Sequence, residues 1–550
     1  MTSPTPKKRL IALLASAAVV LVTLSGALPA QAATWEPITG TGSTWSQNAL
    51  DQWRKNVASN YGMTVNYSGV GSSAGRRDFI QGSVDYAVSE IPFQTKPEDG
   101  SSPEKPPRGY AYMPIVAGGT AFMYNLKIGG KRVSNLRLSG ATITKIFTGA
   151  ISKWNDPLIK ADNPGLAMPD RAIVPVVRSD GSGSTAQFTL WMSKQHPQLW
   201  DAFCASVKRP TPCGLTSQYP LFAGAKGQSG SSGVAGYVSQ DYGNGAITYV
   251  EYSYALESGF PVAKVLNSAG YFVEPTAPSV AVALLKARIN TTPSSPDFLT
   301  QILDGVYNNA DPRTYALSSY SYMIVPTEVG GVFTKKKGAT LGAFANYMLC
   351  EGQQQAAALG YSPLPMNLVL AGFDQIKRVP GAEGTSVDVN KCNNPTFKPG
   401  DSPAKNQLAL TAPQPAACDK VGPNQCTTGT AGAPQETPVS GSGTGGSAAT
   451  AEGAPAAAGA TGAAGATDAA AGAAAASYDE NGNLIAGAAG VVGGAVASPF
   501  TLDDDDWGWQ QSTMLVAALL LIGAVALPPV LWGRLKKTPV PASAPNGGAQ

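Results

Sequence analysis

With 550 residues the chain exceeds one ordinary domain, yet only 14% of it is charged, and its 62 glycines and 43 prolines make up about a fifth of it, too few charges for a cytosolic helical protein. A net charge of +3 gives no field to steer the molecule toward nucleic acid, which excludes an electrostatic DNA or RNA binder. The single histidine, His196, removes His-rich zinc sites, Ser-His-Asp hydrolysis and phosphohistidine chemistry, because each needs an imidazole in place.

In chain order, Lys7, Lys8 and Arg9 precede the apolar run Leu10 to Leu28, which ends in Ala30-Gln31-Ala32. This pattern predicts a secretory signal peptide over 1–33. No cysteine lies near that site, so a lipid-modified N-terminus is not expected. From 34 to 380, short β-rich runs alternate with amphipathic helical ones, which predicts an α/β protein. Val174 to Val177 and Ile247 to Val250 read as strands. Trp45, Ala49 and Trp53 recur at helical spacing, as do Phe188, Trp191 and Met192, and these aromatics are expected to pack a core.

Three places share one design: a strand-like run enters a turn of Gly, Ser and Thr that opens into an amphipathic helix. They are Gly40-Thr41-Gly42-Ser43-Thr44-Trp45; Val70-Gly71-Ser72-Ser73-Ala74-Gly75, after Thr64 to Ser68; and Arg178-Ser179-Asp180-Gly181-Ser182-Gly183-Ser184-Thr185, after Val174 to Val177. Each sets backbone N–H groups and hydroxyls at the positive end of a helix dipole, with small residues that permit close approach. Together they predict an anion cradle. A dinucleotide reading of the third turn wants an acidic residue closing a second strand, but Asp201 lies in Leu199-Trp200-Asp201-Ala202-Phe203, which reads as helix. Gly71 to Gly75 fits GxSxG, yet the nucleophile elbow needs a histidine base and His196 is the only candidate. His196 itself, in Lys194-Gln195-His196-Pro197, is expected at a solvated helix end.

All six cysteines lie beyond residue 200 without CxxC spacing, and six allow fifteen pairings. The short loops Cys204 to Cys213 and Cys418 to Cys426 are the easiest to close, which leaves Cys350 with Cys392. An Ala/Gly/Pro/Ser-rich stretch, 381–506, buries too little to offset its ordering entropy and is expected to be a disordered stalk. The apolar run 513–532 is long enough for a bilayer, with Trp507 and Trp509 on one flank and Arg534, Lys536 and Lys537 on the other. It is expected to form one transmembrane helix, with a cytoplasmic tail at 533–550 and the bulk extracellular.

At the three turns the sequence resembles the PstS-type phosphate-binding proteins, the substrate-binding components of phosphate ABC importers. The likeness spans roughly 36 to 375 and includes Gly82 to Glu90, Ile143 to Trp154, Gly233 to Tyr254 and Gly360 to Pro365. It implies a type II periplasmic-binding-protein-like fold, with two lobes of central mixed sheet joined by a hinge and phosphate held between them. Residues 34–118 with 270–380 would form lobe I and 119–269 lobe II. The hinge would lie near Val116 to Asn125 and Ile247 to Tyr254. The implied ligand set is Thr44, Trp45 (through its backbone N–H), Ser72, Arg178, Asp180, Ser182, Gly183 and Ser184. Relatives commonly carry aspartate where this chain has Glu90, a carboxylate that accepts from protonated phosphate and rejects sulfate.

The expected function is therefore phosphate binding without catalysis, by a monomer tethered to the membrane that serves an ABC permease, with no cofactor, no metal and no nucleic acid. Two other readings stand beside it: another oxyanion such as sulfate, given Glu90, and a surface structural or adhesive module that has kept the fold.

Overall fold

The computed structural model describes residues 35–437 except 296, 384–387 and 435, together with the backbone of a strand pair, Ser477–Tyr478 and Leu484–Ala486. That pair belongs to a separate unit, Thr450–Gln550. The expected signal peptide, the expected membrane helix at 513–532 and the expected tail at 533–550 lie outside the described residues. Among the described residues no helix is long and apolar enough to cross a membrane.

Two β-turn-α steps and a third strand open the fold. Strand β1 (Ile38–Gly42) leads to α1 (Gln47–Tyr61), β2 (Val65–Gly69) to α2 (Ser72–Gln81), and β3 (Tyr86–Ser89) follows. Helix α1 buries Ala49, Leu50, Trp53 and Val57 along one stripe and ends at Gly62 in the left-handed region. Trp45 precedes the helix and is itself buried. Next come β4 (Tyr110–Tyr124), β5 (Val174–Arg178), α3 (Gly183–Gln195), β6 (Lys226–Gln228), α4 (Gly230–Ser239), β7 (Ala246–Glu251), α5 (Tyr252–Ser258) and β8 (Ser318–Pro326).

These strands form one mixed sheet in the order β2-β1-β3-β8-β4-β7-β5-β6. β1 runs parallel to β2 and β3, and β5 parallel to β6 and β7. Strand β4 joins the halves: Gly119 faces Ser318 of β8, whereas Thr120 faces Glu251 of β7. Every β4 residue after Tyr110 is buried, as expected of a strand covered on both faces. The sheet thus divides into two lobes, with one strand passing from the first to the second. In open α/β sheets, the crevice beyond the carboxyl ends of the parallel strands is where turns and helix N-termini gather. The turns after β1, β2, β5 and β6 all enter helices there.

Disulfides join Cys204 to Cys213, Cys350 to Cys392 and Cys418 to Cys426. The stalk expected from 381 does not begin there. Asn394 Nδ2 donates to the carbonyls of Leu349 and Leu364, and Arg313 to that of Ala409. Lys264 pairs with Asp419 at 2.8 Å in a nearly buried site, Arg137 donates to the carbonyl of Asn424, and Thr430 Oγ1 to that of Val262. This segment is held by polar side chains with fixed partners, by two disulfides and by a few buried apolar residues such as Phe397 and Ala409, so composition alone misread it as far as Thr437. His196 is also corrected. It is half-buried with its ring against the Trp191 edge, 5.1 Å between centroids, and burial lowers its pKa.

Glu251 sits at the strand hand-over. One oxygen accepts the Ser253 N–H at 2.6 Å and caps α5, while Oε1 is buried without a partner. Burial pushes its pKa well above the usual carboxylate range, outweighing the Ser253 hydrogen bonds. A carboxyl whose folded pKa is raised contributes stability that is fully present below its unfolded pKa and is lost as pH rises toward the folded value. Glu251→Gln keeps the cap oxygen and cannot ionise. Its stability relative to wild type should therefore climb between about pH 5 and about pH 8, by at most about 1.4 kcal/mol per pH unit, and its relative melting temperature should rise with it. A difference that is flat across that range in thermal unfolding would contradict this assignment.

Candidate functional site

In the first turn, Ser43 N–H donates to Val88 O at 2.9 Å, fixing the turn to β3. The carbonyls of Ser43, Thr44 and Trp45 accept the hydroxyls of Tyr67, Tyr254 and Tyr361 in that order. Across a planar trans peptide the next N–H points the opposite way. The three tyrosines therefore turn the amides of residues 44–46 away from themselves. One of these amides is used locally: Trp45 N–H donates to Ser43 Oγ at 2.9 Å. The Trp45 amide that the resemblance assigned to the ligand is thus engaged by a serine two residues back, a common local competition.

The second turn needs glycine at 71, where φ is 93°. A Cβ there would lie 2.6 Å from Asp180 Oδ2, so this turn meets the third. Ser73 N–H donates to Gly181 O at 3.0 Å. Ser72, the first residue of α2, is buried; its Oγ donates to Glu90 Oε2 at 2.8 Å and accepts Gly183 N–H at 3.2 Å.

In the third turn Arg178, 2% exposed, ends β5 and grips Asp180 with both Nε and Nη2. Asp180 Oδ1 also accepts Gly230 N–H at 2.9 Å. Burial acts to raise the Asp180 pKa, but the Arg178 hydrogen bond and charge, helped by Gly230 N–H, outweigh it and hold the carboxyl below its ordinary value. Ser182 Oγ accepts Thr185 N–H at 3.1 Å and caps α3. Ser184 Oγ is buried without a partner.

Glu90 lies between the lobes, fully buried. Ser43 and Ser321 hydroxyls donate to Oε1 and Ser72 to Oε2. A Cβ on Gly183 would fall 1.9 Å from Oε2, so only glycine lets the first residue of α3 approach this carboxylate. Gln187, also on α3, donates to the Glu90 carbonyl at 2.8 Å.

The structure thus brings Thr44, Ser72, Glu90, Arg178, Asp180 and Gly183 into one buried cluster, with Ser182 and Ser184 on the same helix end. It adds Ser43, Ser231 and Ser321. Ser231 belongs to a fourth turn, Ser229-Gly230-Ser231-Ser232, entering α4. Its Gly/Ser pattern repeats the other three and was available in the sequence. Ser321, in the middle of β8, carries no turn signal.

Hydroxyls, amides at helix N-termini, a buried guanidinium and a buried carboxylate, gathered between two lobes, define a binding protein for a small anion. A family model described as a PBP superfamily domain matches residues 27–351. The phosphate-binding protein PstS of Xylella fastidiosa is 34% identical over 332 residues, covering 60% of this chain and 82% of that protein. PstS of Pasteurella multocida is 30% identical over 346 residues, 62% of this chain and 90% of that one. Among solved structures, a phosphate-binding protein from Stenotrophomonas maltophilia matches 61% of this chain and 92% of its own at 17% identity, with a TM-score of 0.45. The chain belongs to the PBP superfamily and, within it, to the PstS-type phosphate-binding proteins.

Proposed function

We propose that the cleft binds inorganic phosphate and that the chain, exported and tethered by the run 513–532, hands it to the permease of an ABC importer. The observation that carries this reading is the presence of Arg178 and Glu90 in one buried cluster: a cation for the anion's charge and an acceptor for its proton. Thr44, Ser72, Ser182, Gly183 and Ser184 would supply hydroxyl and amide donors that replace the hydration shell, and Asp180 would hold the guanidinium. Binding involves no bond making. The relatives' names as phosphate-binding proteins support the ligand. The passage of β4 from β8 to β7 supports lobe boundaries near 118/119, with 270–380 returning to the first lobe. Arg178 is buried rather than turned to solvent, which favours a working site over a display module.

Isothermal titration of the purified chain with phosphate should give one site per chain. An absence of heat and of any phosphate-induced rise in melting temperature would sink the reading.

A further inference from the structure

Ser231, the second residue of α4, faces Thr44 across the cleft and is fully buried, 0% exposed. Its N–H donates to Thr44 Oγ1 at 3.1 Å, and the two hydroxyl oxygens are 2.9 Å apart, a bond either can donate. On its other side, Arg178 Nη1 donates to Ser231 Oγ at 3.4 Å. A hydroxyl has one proton and two lone pairs. Accepting from a guanidinium polarises the Ser231 O–H and makes it the better donor of the pair, since consecutive hydrogen bonds reinforce one another. The bond then runs from Ser231 to Thr44. Both Thr44 lone pairs are filled, one by the Ser231 N–H and one by its O–H, so the Thr44 proton is left to donate elsewhere.

We propose that Ser231 is a positioning residue that fixes Thr44 Oγ1 as a hydrogen-bond donor to the bound anion, completing a relay from Arg178 through Ser231 to Thr44 that exists only when the two lobes meet. This role rests on the phosphate reading and deepens it. Thr44 stands in the first lobe, while Ser231 and Arg178 stand in the second, so lobe closure and donor orientation become one event. The relay also gives Arg178 a second route to the ligand, in addition to its charge.

The test is a double-mutant cycle read by phosphate titration of the full chain. Ser231→Ala should weaken phosphate binding about tenfold, the scale of one hydrogen bond. In a Thr44→Val background, where no hydroxyl remains to orient, the same change should cost less than about twofold. The melting temperature without phosphate, measured for all four chains of the cycle, separates a loss of packing from a loss of ligand orientation. Equal losses in the two backgrounds, or no loss in a chain that otherwise binds phosphate, would overturn the role of Ser231 and leave the functional reading standing. A wild-type chain that gives no phosphate heat would remove the functional reading, and this role with it.

Discussion

Arg178→Ala is expected to weaken phosphate binding by about a hundredfold or more. Arg178 is buried, and its guanidinium grips Asp180 with two nitrogens. A charge-assisted hydrogen bond is worth about 1.5 to 3 kcal/mol, and an anion in this cleft would lose at least one. The loss does not end there. Asp180, held below its ordinary pKa chiefly by Arg178 against the opposing effect of burial, would keep a negative charge in the cleft with only Gly230 N–H beside it, or take up a proton. The ionised form repels a second anion, and the protonated form gives up the charge that held the donor fork in place. Arg178→Lys should recover only part of the loss, because an ammonium cannot reproduce the planar fork that meets Asp180 while leaving N–H groups for the ligand. Calorimetry is the direct measurement. An Arg178→Ala chain within a few-fold of wild type would show that the cleft binds its ligand without this cation.

The parts of this site that were legible in the sequence are those written in local chemistry. Val174 to Arg178 runs into Ser182 and Gly183 because an apolar strand, a Gly/Ser turn and a capping serine follow one another within a dozen residues, and each step has its own residue preference. The fourth turn, at Ser229 to Ser232, obeyed the same rule. Glu90 was different. Whether an acid at the end of a short strand lies in a cleft or at a surface depends on what the rest of the sheet brings over it. The pieces that cover it, Gly183 from α3 and Ser321 from β8, are distant in sequence. The Trp45 amide shows the opposite case: its partner, Ser43 Oγ, lies only two residues away. Beyond residue 380 the composition of Ala, Gly, Pro and Ser described the average but missed the particular Asn394, Asp419 and Thr430. Those side chains bond to fixed partners and hold the chain where hydrophobic burial is small.

Glu90→Gln should collapse discrimination between phosphate and sulfate, lowering the ratio of the two affinities by about a hundredfold or more. An ionised carboxylate accepts at about four positions and donates at none. In this cleft three are occupied, by Ser43 and Ser321 on Oε1 and Ser72 on Oε2, which leaves one on Oε2, beside Gly183. Phosphate near neutral pH still carries a proton and can donate to that position. Sulfate carries none and would set its own lone pairs against the carboxylate in a dry site, a mismatch that costs several kcal/mol in order of magnitude. The stem of Glu90 therefore does not turn the acid away from the cleft; three hydroxyls aim it. Glutamine keeps the volume and one acceptor but replaces the other with an amide donor, which suits a sulfate oxygen and cannot accept the proton that phosphate brings. Sulfate competition against phosphate at matched ionic strength reads the ratio directly. An unchanged ratio in Glu90→Gln would mean that the proton of the anion is read by another acceptor, and Asp180 would be the next to replace, because its Oδ1 already takes both Arg178 and Gly230 while Oδ2 has only Arg178 as a partner.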